Sequence, residues 1–224
     1  MNEGLLEVRD FFPMWNRLDA QTQAALTASA RPRQARPGDM LHSGSAECTG
    51  LILVRSGQLR AFALSEDGRE VTLYRLLERD ICLFSASCMV SGLQLDLAIR
   101  AERDSAFWLI PAEVYRRLME TSASLSAFTS QLMAGRFSDV MWLVNEILWK
   151  RFDRRLAAFL LEERALEGSD RLRLTHEAIG GHLGTAREVV TRMLNDFRDE
   201  GLVRLSRGVV EIADADRLRT LAEP

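Results

Sequence analysis

The sequence predicts an α+β protein: an N-terminal antiparallel β jelly-roll barrel, a long helix, and a C-terminal winged helix-turn-helix. Three observations carry that prediction. Between Met40 and Ile110, short apolar runs are separated by turn residues every eight to twelve positions, the texture of a closed or sandwiched antiparallel sheet. From Met133 to Ile147, apolar residues fall at spacings of four, three, four and three, a heptad pattern. From Thr175 to Ile212, a short helix, a glycine, a second helix and a two-stranded hairpin follow in order.

Leu5 to Ala30 has helical spacing, with Trp15, Leu18 and Leu26 among polar residues. Two prolines and a glycine in Arg31–Gly38 then interrupt helix. Leu51–Val54 is a strand ending at Ser56-Gly57, and Leu59–Leu64 is a strand ending at Glu66-Asp67-Gly68. Val71–Tyr74 follows directly, so Asp67-Gly68 reads as a hairpin tip, where glycine accepts a positive φ. Beyond Pro111 the period turns helical. The heptad residues Met133, Phe137, Val140, Val144 and Ile147 are flanked by Leu132, Met141, Leu143 and Leu148. That face is wide enough to pack on the barrel and on a second copy, which predicts a homodimer helix. Arg151 opens another amphipathic helix through Leu156 and Phe159–Leu161, closed by Glu167-Gly168-Ser169-Asp170. The expected domains are a barrel with its N-terminal helix over 1–120, a dimerisation helix over 121–150, and a winged helix-turn-helix over 151–224.

A length of 224 residues suits two small domains, and 47% apolar with 27% charged residues excludes a disordered chain. A formal charge of −3 argues against a protein that coats nucleic acid indiscriminately, while leaving room for a local basic face. No apolar run reaches membrane-spanning length, and Met1-Asn2-Glu3-Gly4 lacks the basic start of a signal peptide, so a cytoplasmic protein is expected. Three cysteines, Cys48, Cys82 and Cys88, are an odd number and do not suggest a disulfide framework. No Ser-His-Asp or paired-carboxylate constellation, metal-ligand spacing or phosphate-cradling glycine loop stands out. No catalytic or metal residue is therefore nominated, and an enzyme is not expected.

The functional segment runs from Leu174 to Phe197. Thr175 is placed to cap a short helix with Ala178, Ile179 and Leu183 inside. Gly184 falls where the turn needs a left-handed residue or a close approach. Thr185-Ala186-Arg187-Glu188 has capping-box spacing, so Thr185 is expected to cap the second helix. Val189, Val190, Met193, Leu194 and Phe197 form that helix's inner face. Arg187, Glu188, Thr191, Arg192 and Asn195, at offsets 0, 1, 4, 5 and 8, are left on one outer stripe. Arginine matches the acceptor pair of guanine, and glutamate accepts from the cytosine amino group. A polar stripe at a helix N-terminus is what a major-groove helix requires. Leu202–Ser206 and Val209–Ile212, joined by Arg207-Gly208, read as a wing with Arg204 and Arg207 facing phosphates.

At this point the chain resembles the Crp–Fnr family of regulators over almost its whole length. The resemblance is most specific at Ile179-Gly180 through Leu194 and at Gly201-Leu202-Val203, and it continues at Pro37-Gly38, Ser56–Arg60 and Ser65–Val71. It implies a cyclic-nucleotide-binding-like barrel, a long dimer helix, and a winged helix-turn-helix that reads an inverted repeat in double-stranded DNA. RNA polymerase is the expected further partner. Arg187, Glu188 and Arg192 fall on base-contacting positions, and some relatives use a hydroxyl where Thr191 stands. The expected DNA-binding set is Thr175, Thr185, Arg187, Glu188, Thr191, Arg192 and Arg207.

The ligand cassette departs from the nucleotide-binding members. Where they have Gly-Glu and Arg-Ser or Arg-Thr, this chain has Cys82-Leu83-Phe84-Ser85 and Leu95-Asp96-Leu97-Ala98. Leucine cannot neutralise a phosphate and Asp96 repels one, so a cyclic nucleotide is not the expected ligand. An iron–sulfur cluster needs about four thiolates, and there are three cysteines, none before Cys48. Cys82 and Cys88 are the candidate sensor residues, for an oxidant, a sulfur species or a metal; equally, free cysteine is most often a small buried hydrophobe. Haem or another small ligand stays open as a cofactor. His42 beside a turn reads as a haem or metal ligand, or as a surface residue. A second class competes with the regulator: a ligand- or haem-binding barrel protein whose C-terminal domain has a role other than DNA binding. The helix-turn-helix separates the two.

Overall fold

The computed structural model describes residues 6–44, 49–65, 68–83, 97–149 and 151–223. It divides into two compact units, Met1–Leu64 with Leu73–Val140, and Ser65–Thr72 with Met141–Pro224.

The first unit begins with 3-10 turns at Val8–Phe11 and Trp15–Arg17, followed by α1 (Ala20–Ser29). One helix was expected over Leu5–Ala30. Phe12 is instead extended (φ −117°, ψ 93°), as the residue before Pro13 tends to be. Helix therefore restarts only at Asp19, whose carboxylate accepts from the Thr22 backbone N–H at 2.8 Å. Among the described residues eight strands follow: β1 (Arg31–Ala35), β2 (Met40–Ser43), β3 (Leu51–Ser56), β4 (Leu59–Leu64), β5 (Glu70–Leu76), β6 (Ile81–Cys82), β7 (Leu97–Ala101) and β8 (Ser105–Ile110). They make two four-stranded sheets, ordered β1-β8-β3-β6 and β2-β7-β4-β5, the antiparallel sandwich that the turn spacing predicts. The proline-rich interruption at Arg31 is itself a strand. β1 lies at a sheet edge, where the missing N–H of Pro32 can be tolerated.

Residues alternate between two cores. Ile52, Val54, Leu59, Ala61, Tyr74, Leu76, Ile99 and Phe107 fill the space between the sheets. Leu51 and Leu53 point to the other face of β3 and pack with Phe11, Phe12, Leu26, Ile110, Tyr115 and Leu125. β3 is thus buried on both faces, which is why Leu51–Val54 reads as a continuous apolar run rather than alternating. Gly57 turns β3 into β4 with φ +90°; a Cβ there would stand 2.3 Å from Ser105 Oγ.

Two helices complete this part of the chain, α2 (Ala112–Thr121) and α3 (Ala123–Trp149). With 27 residues, α3 is about 40 Å long. Its start is core: Leu125 is buried, and Phe128, Leu132 and Met133 pack against the same cluster. Further along, Phe137, Met141, Val144 and Ile147 are exposed. Among the described residues, no helix is long and apolar enough to cross a membrane.

The second unit holds α4 (Phe152–Glu167), β9 (Arg171–Leu172), α5 (His176–Leu183), α6 (Arg187–Asp199), β10 (Val203–Ser206), β11 (Val209–Ile212) and α7 (Ala215–Ala222). α4 ends on Gly168 in the left-handed conformation, as a helix C-terminus favours. β9 adds a third strand to the hairpin, in the order β10-β11-β9. Leu156, Leu160, Ile179, Val190, Leu194, Phe197, Leu202, Val210 and Leu218 form its core.

Candidate nucleic-acid interface

α5 and α6 make the helix-turn-helix. The Thr175 hydroxyl accepts from the Ala178 backbone N–H at 3.1 Å, the cap expected from sequence. Gly184 ends α5 at φ 65°, ψ 40°, the left-handed residue the turn needs. The close approach of the turn's own backbone is made at another glycine. A Cβ on Gly180 would lie 2.7 Å from the Thr185 carbonyl oxygen, so only glycine lets the turn fold back on α5. The sequence marks Gly180 only through the family resemblance, because its use depends on what packs over it.

The start of α6 differs from expectation. Its N-cap is Ala186, with no side-chain cap, and Thr185 does not cap it. The Thr185 N–H donates to the Gly180 carbonyl at 3.0 Å, which keeps that residue in the turn. The Ala186 carbonyl accepts the first bonds of the helix, from the N–H groups of Val189 and Val190. Hence Glu188 belongs to no capping box with Thr185.

The inner face is as expected at Val190, Leu194 and Phe197, all buried, with Val189 and Met193 half-buried. On the outer stripe, Arg187, Glu188 and Arg192 are exposed, while Thr191 and Asn195 are half-buried. The Thr191 hydroxyl lies 2.8 Å from His176 Nδ1 and donates to the Arg187 carbonyl at 2.9 Å. The His176 imidazole is held below its ordinary pKa, first by burial and then by the Arg187 guanidinium, so the neutral ring is favoured. Asn195 accepts from Arg198 at 3.0 Å.

The wing has β10 and β11 in antiparallel register, with Arg207 exposed at the tip and Gly208 at φ 70°. Arg204, expected to face phosphate, instead pairs at 3.0 Å with Glu211 directly across the hairpin. Arg198 pairs with Asp199, Arg164 with Asp170, and Arg219 with Asp216. Among the described residues, Arg187, Arg192 and Arg207 make no such pair, which leaves three uncompensated guanidinium groups on α6 and the wing tip. Such groups suit an anionic partner, and the exposed start of a helix adds its own positive end.

In the barrel, Cys82 is buried on β6, with Sγ 3.7 Å from the Tyr74 hydroxyl. Burial, with the Cys82 thiol beside it, pushes the Tyr74 phenol well above its ordinary pKa and keeps it neutral. Leu83, Leu97 and Ala98 of the cassette are also buried. Cys88, Phe84, Leu95 and Asp96 lie outside the described residues. His42 is neither in a loop nor on the surface: it is a buried residue of β2, with Nδ1 2.9 Å from Thr49 Oγ1.

Residues 32–122 match the cyclic nucleotide-binding domain family, and residues 154–221 match the Crp-like helix-turn-helix domain family. A crystal structure assigned to the Crp/Fnr family of transcriptional regulators, from Eubacterium rectale ATCC 33656, is 49% identical. It aligns over 95% of this chain and 99% of its own, with a TM-score of 0.93. The fumarate and nitrate reduction regulatory protein of Escherichia coli K12 is 26% identical over 199 residues, 86% of this chain and 78% of that protein. The FixK2 structure from Bradyrhizobium japonicum shares the fold at 20% identity and a TM-score of 0.67, over 87% of this chain and 98% of its own.

Proposed function

The chain belongs to the Crp–Fnr family of transcription regulators, which are not enzymes, and on that premise we propose that it acts as a cytoplasmic homodimer reading an inverted repeat. In this reading α6 enters the major groove. Arg187, Glu188 and Arg192 meet base edges, while Thr175, Thr185 and Arg207 meet the backbone. Residues 1–120 serve as the sensor domain, 121–150 as the dimerisation helix and 151–224 as the DNA-binding domain. The observation that carries the reading is the exposed, unpaired pair Arg187 and Arg192 on a helix whose opposite face buries Val190, Leu194 and Phe197 in the core. Dimerisation through α3 is supported by Phe137, Met141, Val144 and Ile147, large apolar side chains left in water by the single chain on a heptad-spaced face. RNA polymerase is the further partner such a regulator addresses.

The signal assigned to the barrel is not a cyclic nucleotide. Leu95–Ala98 lacks the cationic residue a cyclic phosphate requires. Cys82 and Cys88 are the proposed receptors, for an oxidant or a sulfur species. Because Cys82 is buried beside Tyr74, a reagent reaches it only when the barrel opens locally.

The test is selection of binding sites from random duplex DNA, followed by affinity measurements on the selected and random sequences. Arg187→Ala should weaken the selected site by about 5- to 150-fold and random DNA far less, the worth of a bidentate arginine–guanine contact. Failure to enrich any sequence, or equal loss on both duplexes, overturns the assignment of α6.

A further inference from the structure

Thr191 lies on the outer stripe of α6 one turn beyond Arg187, yet its hydroxyl is already committed within the protein. Oγ1 donates to the Arg187 carbonyl at 2.9 Å and stands 2.8 Å from Nδ1 of His176, the first residue of α5. A threonine hydroxyl has one proton. With that proton on the carbonyl, His176 must supply the hydrogen of the second bond, which fixes the Nδ1-protonated tautomer. The hydroxyl then has nothing to donate to a guanine acceptor, a thymine carbonyl or a phosphate, and keeps one acceptor lone pair. Besides that lone pair, what Thr191 has left to offer the groove is its γ-methyl. Rotation about χ1 would break both bonds at once; a helical threonine otherwise divides between two rotamers, and these bonds select one.

We propose that Thr191 is a specificity-determining residue that reads a thymine through its methyl group, with His176 as the positioning residue that holds its rotamer. The thymine C5-methyl is the apolar group that the major groove presents, and threonine methyls suit it. This rests on α6 being the reading helix. It alters what the sequence suggests, since a hydroxyl at position 191 would be taken for a polar reader.

The experiment replaces each thymine of a selected operator, one at a time, with deoxyuridine, which removes only the 5-methyl. For the full-length protein, one thymine per half-site should cost about fourfold in affinity, the worth of one buried methyl. Thr191→Val, which keeps the methyl and loses the hydroxyl, should retain that sensitivity. Thr191→Ser, which does the opposite, should bind thymine and deoxyuridine equally at that position. His176→Ala should blunt the sensitivity there and leave discrimination at the Arg187 base pair unchanged. If no thymine is sensitive, or if Thr191→Ser keeps the sensitivity and Thr191→Val loses it, the proposal is wrong. Arg187→Ala on the same operator separates the two levels. Loss of selectivity there with failure of the Thr191 arms sinks only this inference, whereas equal loss on selected and random DNA sinks the reading of α6 itself.

Discussion

The guanidinium carbon of Arg136, on α3, lies 4.8 Å from the centre of the Tyr74 ring, on β5. The same cation pairs with Asp80 at 3.3 Å, just before β6, and with Asp139 at 3.2 Å on its own helix. One largely buried charge thus ties the helix to the strand that flanks Cys82. Arg136→Ala should lower stability by about 1–2 kcal/mol, combining a partly desolvated cation–π contact with two ion pairs. Arg136→Lys should recover only part of that, because an ammonium cannot stack flat on the ring while holding two carboxylates. Chemical denaturation checks both; an unchanged midpoint for the alanine variant would show that the contact contributes nothing.

Phe137 is 66% exposed in the single chain, so Phe137→Asp should leave the secondary structure of the chain intact by circular dichroism. A charge in an apolar dimer seam is nonetheless costly. Sedimentation should show the variant as a monomer, with affinity for an inverted repeat reduced in parallel. A variant that stays dimeric would move the interface off this face of α3.

Arg207 stands exposed at the wing tip without an ion pair among the described residues. Arg207→Ala should weaken selected and random DNA alike. The slope of log affinity against log salt should fall by about one unit, as expected for the loss of one phosphate contact. A selective loss at one base pair would instead make Arg207 a base reader.

Cys82 has no exposed surface. In native protein it should alkylate far more slowly than in denatured protein, with label placed by peptide mass mapping. If Cys82 reacts as fast in the native protein as in the unfolded chain, its burial offers no protection and direct sensing there gains support.

Tyr115 shares a 2.8 Å hydrogen bond with Thr129, and burial raises its phenol to about 12. The folded state then keeps a proton that the unfolded chain releases near pH 10. Its contribution to stability is present below about pH 10 and is lost as pH rises toward about 12. Tyr115→Phe should flatten that alkaline decline, measured by denaturation at several pH values. An unchanged pH slope would mean that the phenol titrates normally in the fold.

The chain's local grammar was legible in its residues. Gly68, Gly184 and Thr175 act over a few neighbours, and the spacings of Val190, Leu194 and Phe197, or of Met133 to Ile147, declare which side of a helix is apolar whatever that side meets. The run Leu51–Val54 likewise marked a strand, and the structure covers it on both faces. What tertiary structure decided was how each polar or special residue is used, because that depends on partners remote in sequence. Pro32 could sit in a strand only because β8 left it the edge. Thr185 stays in the turn, its N–H bonded to the Gly180 carbonyl, so that α6 is capped at Ala186, and Gly180 was required by the turn that folds over it. Arg204 was claimed by Glu211 across the hairpin, while Arg207 was left free. The hydroxyl of Thr191 was claimed by His176, fifteen positions away. Periodicity reports which face is buried; a hydrogen bond or ion pair forms only where two particular groups arrive within about 3 Å, and that distance is set by the packed whole.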